Sequence, residues 1–314
     1  MDFEEKLAEG AVIEPSDELS EEYRTLVSRI VQFTANSEIM GNMSERPLLQ
    51  QAPTFHRKLA LTAKLQDEVG HALMQYRICE DLGQDRWDML EDLANGDASY
   101  GSSMQFPIED WFDLTAFTCF TDGAAMILQH SLLKTNYGPY RRVMQRICRE
   151  EEFHMRHGHD LLQRYATGTP EQQERMQAAV DTWWPRGMLF FGPTDEHRSP
   201  ASRRMHELGI RTKTNDELRQ DFLEYWVPKV RAVGLEVPDD RLAYDEETEA
   251  WDYTPPSMDD LNEIRHEGGP MHEERIGVLR NYFEDNTWVR DTLRRYHAAQ
   301  NRSPTSPATG TASD

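Results

Sequence analysis

Asp67-Glu68-Val69-Gly70-His71 and Glu150-Glu151-Glu152-Phe153-His154 share one pattern, a glutamate followed three residues later by a histidine. Because residues i and i+3 lie on the same face of a helix, each stretch directs a carboxylate and an imidazole towards one point. Two such pairs on facing helices, each joined by a carboxylate from a further helix, form the di-iron or di-manganese site of one class of four-helix bundle. The two stretches therefore predict an all-α fold, provided that two further carboxylates lie at the right level.

The surroundings of the two motifs distinguish them from chance matches. A chain with 56 acidic residues and 11 histidines contains a few such motifs on solvated helix faces, so one alone carries little information. Both motifs lie where apolar residues recur at helical spacing. These residues are Leu61, Leu65, Leu73 and Ile78 around the first motif, and Val143, Ile147 and Leu161 around the second. A charged pair on a core-facing stripe needs a partner, which a dinuclear metal site supplies.

The charge balance excludes several functions. With 314 residues and a net charge of −22, the chain lacks the basic surface that nucleic acids require, and acidic membranes repel it. Only six lysines accompany 28 arginines. A surface so acidic and so poor in lysine is typical of proteins from cells with concentrated cytoplasmic salt, such as a halophilic archaeon.

Cysteine use and the first residues indicate the compartment. Cys79, Cys119 and Cys148 form no Cys-x-x-Cys and lie in apolar helical stretches, as expected of core residues in a reducing environment. The first six residues have neither the basic end nor the apolar run of a signal peptide, and no apolar stretch approaches membrane-spanning length. We therefore expect a soluble, cytoplasmic protein that does not bind membranes.

Helix boundary signals divide the chain into an arm, a bundle and a tail. Residues 1–16 are predicted to form a loosely attached N-terminal arm, and residues 17–300 a catalytic domain with a C-terminal helical extension. Residues 301–314, rich in Ser, Thr, Pro and Ala, are predicted to be a disordered tail.

The order of the predicted helices indicates the architecture. The bundle helices are expected at residues 17 to about 41, 53 to 83, 109 to about 136 and 139 to about 168. A short helix ending at Asn95-Gly96 lies in the long crossover between the second and third of them, and this order is that of a ferritin-like bundle. Further helices are expected at 170–191 and 215–233 and near residues 258 and 286, with an irregular segment at 234–256.

A carboxylate on the third helix follows from its position. Glu151 and His154 lie 12 and 15 residues past Pro139, about 18 to 22 Å along a helix, so an antiparallel partner must place its ligand at a similar distance before the turn. Asp122 lies 14 residues before Asn136, about 21 Å at the same rise, in an apolar segment. The alternative is a buried aspartate that only forms hydrogen bonds.

Glu38 is the candidate from the first helix, because it interrupts a neutral stretch of small and apolar residues. Four carboxylates balance the charge of two divalent metals, and oxygen-rich ligation with only two nitrogens suits iron or manganese better than copper or zinc. The predicted metal ligands are Glu38, Glu68, His71, Asp122, Glu151 and His154.

These ligands and their flanks resemble the catalytic A subunits of the phenylacetyl-CoA epoxidases, a family of multicomponent di-iron monooxygenases. The resemblance runs from about residue 12 to 295. It is carried by Asn36-Ser37-Glu38-Ile39, Lys64-Leu65-Gln66-Asp67-Glu68-Val69-Gly70-His71, Asp122-Gly123-Ala124-Ala125, Tyr137-Gly138-Pro139-Tyr140, Ile147-Cys148-Arg149-Glu150-Glu151, Phe153-His154, Trp183-Trp184-Pro185, Phe191-Gly192-Pro193 and Thr214-Asn215-Asp216-Glu217-Leu218-Arg219. The structural C subunit of that family lacks the complete ligand set, so the six ligands here imply a catalytic subunit.

The resemblance implies a reaction and its components. A di-iron centre, held by the catalytic carboxylates Glu38, Glu68, Asp122 and Glu151 with the two histidines, uses O2 to convert phenylacetyl-CoA to its ring-1,2-epoxide, and the second oxygen leaves as water. The two electrons come in the family from NADPH through a separate flavin and iron–sulfur reductase. This chain has neither a Gly-x-Gly-x-x-Gly nor a cysteine cluster. The implied partners are that reductase, a structural C subunit, and a small connecting subunit.

A basic stretch is the candidate for binding the polyanionic coenzyme A. Guanidinium groups suit phosphate because they form bidentate bonds, although a solvated patch paired with nearby acids is the alternative. The stretch comprises Arg198, Arg203, Arg204, Arg211 and Lys213. By resemblance, the substrate cleft also includes Arg29, Ser99, Tyr100, Gly101, Ser102 and Thr194.

Several residues near the motifs have secondary roles or two interpretations. Asp67 and Glu150 each lie four residues before a ligand histidine and are predicted to orient its second nitrogen. Lys64, one turn before Glu68, is either a charge-balancing group or a surface lysine. The aromatic segment at 183–191 is either a partner surface or ordinary core. Two histidines are placed outside the ligand set, His157 and His159.

Two other functions compete with the epoxidase. The first is a different ferritin-like oxidase, such as a ferroxidase or the radical subunit of a ribonucleotide reductase. Storage ferritins are shorter, and the radical subunit needs a tyrosine about one turn past the third-helix ligand, where this chain has Met126. The second is a non-catalytic scaffold subunit, which the loss of a ligand would favour.

Overall fold

The computed structural model of the protein describes residues 2–300. The predicted tail at 301–314 lies outside the described residues. The helices are α1 (Phe3–Ala8), α2 (Glu21–Glu45), α3 (Phe55–Asp81), α4 (Arg86–Asn95), α5 (Trp111–Leu132), α6 (Gly138–Ala166), α7 (Pro170–Phe190), α8 (Pro200–Glu207), α9 (Asn215–Ala232), α10 (Met258–Glu267), α11 (His272–Asp285) and α12 (Thr287–Gln300). An antiparallel hairpin joins β1 (Ala243–Asp245) to β2 (Ala250–Asp252), and short 3-10 helices span Arg46–Leu49, Ser102–Gln105 and Asp195–His197.

Four long helices form the bundle. α2 packs along α3, α5 packs along α6, and the two pairs meet through α3 and α6. α7 lies against α5 and α6, and α9 adds a further layer over α5. The expected all-α, ferritin-like architecture is confirmed.

Capping side chains determine where the bundle helices begin. Ser20 accepts a hydrogen bond from the N–H of Tyr23, so α2 begins at Glu21 and not at residue 17 as predicted. Thr54 and Asp110 cap α3 and α5 in the same way. Such caps satisfy the free N–H groups of the first turn and each contributes about 1 kcal/mol.

α5 lies at the centre of the core. Phe120 on α5 packs edge-to-face against Trp184 of α7 and Trp226 of α9, with ring centroids 5.3 and 5.6 Å apart. Gly187 permits the close approach of α7, since a Cβ there would lie 2.8 Å from the carbonyl oxygen of Phe120. Trp183 and Trp184 are both buried. The aromatic segment is therefore ordinary core and not a partner surface.

The N-terminal arm is attached more tightly than expected. Phe3 is buried and its ring lies 5.2 Å from that of Tyr23. Ile13 is fully buried, donates its N–H to the carbonyl oxygen of Asn136 and accepts from the N–H of Gly138, both at 2.8 Å. These contacts place the arm against the turn between α5 and α6, so the expectation of a loose attachment is wrong.

The C-terminal third departs most from the expected helix pattern. The pattern predicts neither α8 nor α11, and the segment expected to be irregular at 234–256 contains the β hairpin. α11 follows Gly268-Gly269-Pro270, which is typical of a stop, and buries only Arg275 and Ile276, so it has no apolar stripe. Arg275 donates to the carbonyl oxygens of Met104 and Phe106 and holds α11 against the crossover.

Among the described residues, no helix is both long enough and apolar enough to cross a membrane.

Candidate metal centre

Three bundle helices bring together the first group of predicted ligands. Glu38 of α2, Glu68 and His71 of α3, and Glu151 of α6 each offer one ligand atom, and these atoms all lie within 4.8 Å of one another. All four side chains are buried. The two Glu-x-x-His motifs therefore face each other across α3 and α6.

The two motif glutamates lie between the two histidines. Nδ1 of His71 is 3.3 Å from Oε1 of Glu151 and 3.6 Å from Oε2 of Glu68. Nδ1 of His154 is 3.1 Å from Oε2 of Glu151 and 3.5 Å from Oε1 of Glu68. Each glutamate thus directs one oxygen towards each histidine, so carboxylate and imidazole donors of both motifs face one another.

The donor set fits a metal in a further respect. Nδ1 of His71 is buried and has no hydrogen-bond partner among the described residues. A buried polar atom without a partner is unfavourable by about 1 to 3 kcal/mol. Three carboxylates surround it, so a divalent cation would satisfy the nitrogen and offset part of their negative charge.

Buried acidic side chains surround the two imidazoles and shift the pKa values of the cluster. Burial lowers the pKa of His71, but the carboxylates of Glu151 and Glu68 outweigh it and raise that pKa to about 12. Burial also lowers the pKa of His154, and the carboxylate of Glu151 raises it to about 9. Burial raises the pKa of Glu38 well above its usual range. Metal binding must displace the imidazolium protons, because only neutral imidazole is a ligand.

Asp122 lies in α5 beside the cluster but faces a lysine. It is buried, and one oxygen forms an ion pair with Nζ of Lys64. Lys64 also pairs with Glu45 and lies 3.9 Å from Oε1 of Glu68. Lys64 is 1% exposed, so the surface interpretation of this lysine is wrong and the charge-balancing one fits its position.

Glu45 is absent from the predicted set, although a signal for it exists. It lies seven residues after Glu38 on α2, which places both on one helix face. Burial raises the pKa of Glu45, and burial likewise raises that of Asp122. Lys64 therefore holds two carboxylates that would otherwise be buried without a partner.

Asp67 and Glu150 contact the histidines, but in exchanged order. Oδ2 of Asp67 is 3.1 Å from Nε2 of His154, and Oε2 of Glu150 is 3.0 Å from Nε2 of His71. Each acid was predicted to orient the histidine of its own motif, and this pairing is wrong. On antiparallel helices, a carboxylate one turn before a histidine reaches the histidine of the neighbouring helix.

On the side of the cluster next to α2 and α5, two amide side chains hold Glu38. Nε2 of Gln75 and Nε2 of Gln129 donate to the same oxygen of Glu38, at 3.2 and 3.1 Å. A small cavity of about 10 Å³, room for one water, lies here. It is lined by Ser37, Glu38, Gly41, Glu68, Met104, Asp122, Ala125, Gln129 and Glu151.

The predicted substrate residues of the crossover pack beside this cavity. The N–H of Gly101 donates to Oγ of Ser37 at 3.0 Å, next to Glu38 in the chain. The Ser99 carbonyl oxygen accepts from Asn36 at 3.1 Å. Two further contacts complete the segment, Tyr100 with His272 at 2.9 Å and Ser102 with the Leu189 carbonyl oxygen at 3.0 Å.

The predicted basic residues lie at the other end of α2. Arg203 and Arg204 line a groove of about 720 Å³ with Glu21 and Glu22. Arg204 is paired with Glu22 at 2.9 Å and with Glu207 at 3.1 Å, so acids already neutralise it. Arg29 is exposed further along α2, and Thr194 contacts His197 at 3.0 Å. The predicted contacts are therefore spread along α2, and not gathered in one pocket.

The chain is similar in sequence to a known family and to one of its characterised members. Residues 1–288 match the family described as phenylacetic acid catabolic protein. The chain is 37% identical over 289 residues to the A subunit of the 1,2-phenylacetyl-CoA epoxidase of Escherichia coli (strain K12), and the match covers 92% of this chain and 93% of that protein. The chain therefore belongs to the phenylacetic acid catabolic protein family.

Proposed function

We propose that the protein is the catalytic subunit of a multicomponent di-iron monooxygenase that converts phenylacetyl-CoA to its ring-1,2-epoxide. One observation supports this most. The two motif glutamates lie between two buried histidines, in a chain that matches an epoxidase subunit over almost its whole length.

The residues of the cluster suit two iron ions. Glu38, Glu68, His71, Glu151 and His154 are the residues of the cluster that would hold them. Asp122, which is paired with Lys64 in the structure, is the sixth residue that would hold them. When bound, the iron ions would supply the activation of O2.

The surrounding residues hold this ligand set in place. Gln75 and Gln129 orient Glu38, because both amides donate to one of its oxygens and leave the other free. Glu150 and Asp67 accept from the outer nitrogens of the histidines, so that each Nδ1 is directed inward. These partners fix the ring orientation before any metal arrives.

The crossover and α2 provide the approach for the acyl-CoA. Gly41, Met104 and Ala125 line one part of the cavity beside Glu38, and the aromatic ring would lie against them. Its small volume means that the crossover must move to admit the ring. The coenzyme A phosphates would lie along the N-terminal half of α2, where Arg29 and Arg203 are exposed.

The electrons must come from another protein. The epoxidation consumes NADPH and O2, and places one oxygen in the product and one in water, which requires two electrons per turnover. The chain has no motif for a nicotinamide or an iron–sulfur centre. We therefore include in the proposal a flavin and iron–sulfur reductase, a structural C subunit, and a small connecting subunit.

The test is a single turnover of the iron-loaded, chemically reduced chain with phenylacetyl-CoA and labelled O2. We expect the epoxide with one labelled oxygen. NADPH alone should give no product until the partner subunits and the reductase are added. Oxidation of the iron without labelled product would indicate a ferroxidase-like oxidase and overturn the proposal.

A further inference from the structure

The outer surface of α3 and α6 exposes large apolar side chains. Leu59, Val69 and Leu73 of α3 are 51%, 54% and 40% exposed, and Phe153 of α6 is 49% exposed. Helical spacing places the three α3 residues on one side of that helix. Leu73 was predicted to face the core, which is wrong. We call these four residues, together with Arg77, Arg149 and Arg156, the α3/α6 face.

The two helices that carry this face are less acidic than the chain as a whole. α6 carries six arginines and four acidic residues, and α3 carries four cations and four acidic residues, in a chain of net charge −22. Arg77, Arg149 and Arg156 are exposed, and none of them pairs with a carboxylate within residues 2–300. At the end of α6, by contrast, Arg142 pairs with Glu14 at 2.7 Å. The face is complementary to an acidic surface.

The face also lies over a short path from solvent to the cluster. The side chains of Asp67 and Glu150 are 33% and 32% exposed, and each contacts Nε2 of a fully buried histidine. One carboxylate and one imidazole therefore separate solvent from the metal-facing nitrogens. On the opposite side lie the cavity beside Glu38 and the layers of α7 and α9 over α5.

We propose that the α3/α6 face is the docking site of the electron donor, and that the donor presents an acidic surface there. This inference rests on the proposed function, which requires two electrons per turnover. Electron-transfer encounters bury small areas, and complementary charge accelerates them. Docking here leaves the cavity side free, so the reductant and the substrate approach from opposite sides of the bundle.

The experiment reverses the charge of the face in the full chain. Arg149→Glu with Arg156→Glu is compared with a matched control, Arg265→Glu with Arg295→Glu, two exposed arginines on α10 and α12. Binding of the metal-free chain to an acidic plant-type ferredoxin, and to the NADPH reductase, is measured by surface plasmon resonance at low and high salt. Turnover of the iron-loaded chain is measured with the partner subunits, the reductase and NADPH, and separately with dithionite.

We expect the face variant to bind both probes at least about tenfold more weakly at low salt and to lose most of the salt dependence, with the control unchanged. Reductase-driven turnover should fall in parallel, and dithionite-driven single turnover should not. Unchanged binding of the face variant to both probes would overturn the proposal. If the dithionite-reduced wild type gives no product, that result would instead contradict the proposed function, and the binding measurements would still decide the docking site.

Discussion

The two sides of the bundle enclose one cluster in opposite ways. On the α5 side, the amides of Gln75 and Gln129 hold Glu38, and α7 and α9 cover α5. On the α3/α6 side, the histidines contact carboxylates that are one-third exposed, on a surface with uncovered apolar and cationic residues. The cluster therefore has one side covered by two further helices and one side where a single carboxylate separates each histidine from solvent.

Removal of a predicted ligand should have the largest effect, because both sides of the bundle enclose the same cluster. Glu151→Ala and His154→Ala should each reduce the iron content from the proposed level of about two ions per chain, because Glu151 contacts both histidines and His154 contacts both motif glutamates. Iron analysis measures the loss, and circular dichroism should show intact helices. The control is Glu152→Ala, an exposed neighbour on α6. Full iron content in both ligand variants would place the metal elsewhere.

Substitution of Lys64 tests the α5 side of the cluster through the free energy of unfolding. Lys64→Met leaves the carboxylates of Glu45 and Asp122 buried without their cation, which should cost about 3 to 5 kcal/mol in the free energy of unfolding of the metal-free chain. Lys58→Met, at an exposed position on the same helix, should change it by less than about 0.5 kcal/mol. Urea unfolding at neutral pH measures both. Equal stability of the two variants would show that the buried ion pairs contribute no net free energy.

The pH dependence of metal binding tests the raised pKa values of the two histidines. The metal-free pKa values of His154 and His71 are raised to about 9 and about 12, so each imidazolium loses a proton when metal binds at neutral pH. Affinity should therefore rise with pH, by up to about a hundredfold per pH unit below pH 9 for two protons. Titration calorimetry in buffers of different ionisation enthalpy counts the protons. No proton release would contradict the raised pKa values.

Substitutions of two glycines test which side of the bundle is covered, Gly187 at the α5–α7 contact and Gly70 on the outer side of α3. A Cβ on Gly187 would lie 2.8 Å from the backbone oxygen of Phe120, so Gly187→Ala should destabilise the fold by about 1 to 3 kcal/mol. A Cβ on Gly70 of α3 would meet nothing within 4 Å. Gly70→Ala should therefore stabilise the helix, by up to about 1 kcal/mol. Thermal unfolding measures both, and a destabilising Gly70→Ala would mean that the outer side of α3 is covered.

The sequence by itself determined the bundle and the meeting of its two motifs. Helical periodicity is local, so the apolar stripes and the i, i+3 spacing of Glu68 with His71 and of Glu151 with His154 could be predicted without a structure. The N-caps and the αL glycine after α4 mark helix ends in the same local way.

Only the tertiary structure decided which groups meet across helices. The exchange of Asp67 and Glu150 between the histidines, the pairing of Lys64 with Asp122 and Glu45, and the exposure of Leu73 all depend on the register and rotation of one helix against another. An error of one residue in register rotates a side chain by about 100° around its helix, which no local pattern corrects. The contacts that adjust the candidate metal centre are therefore decided by packing, whereas the metal-binding motifs are decided by spacing.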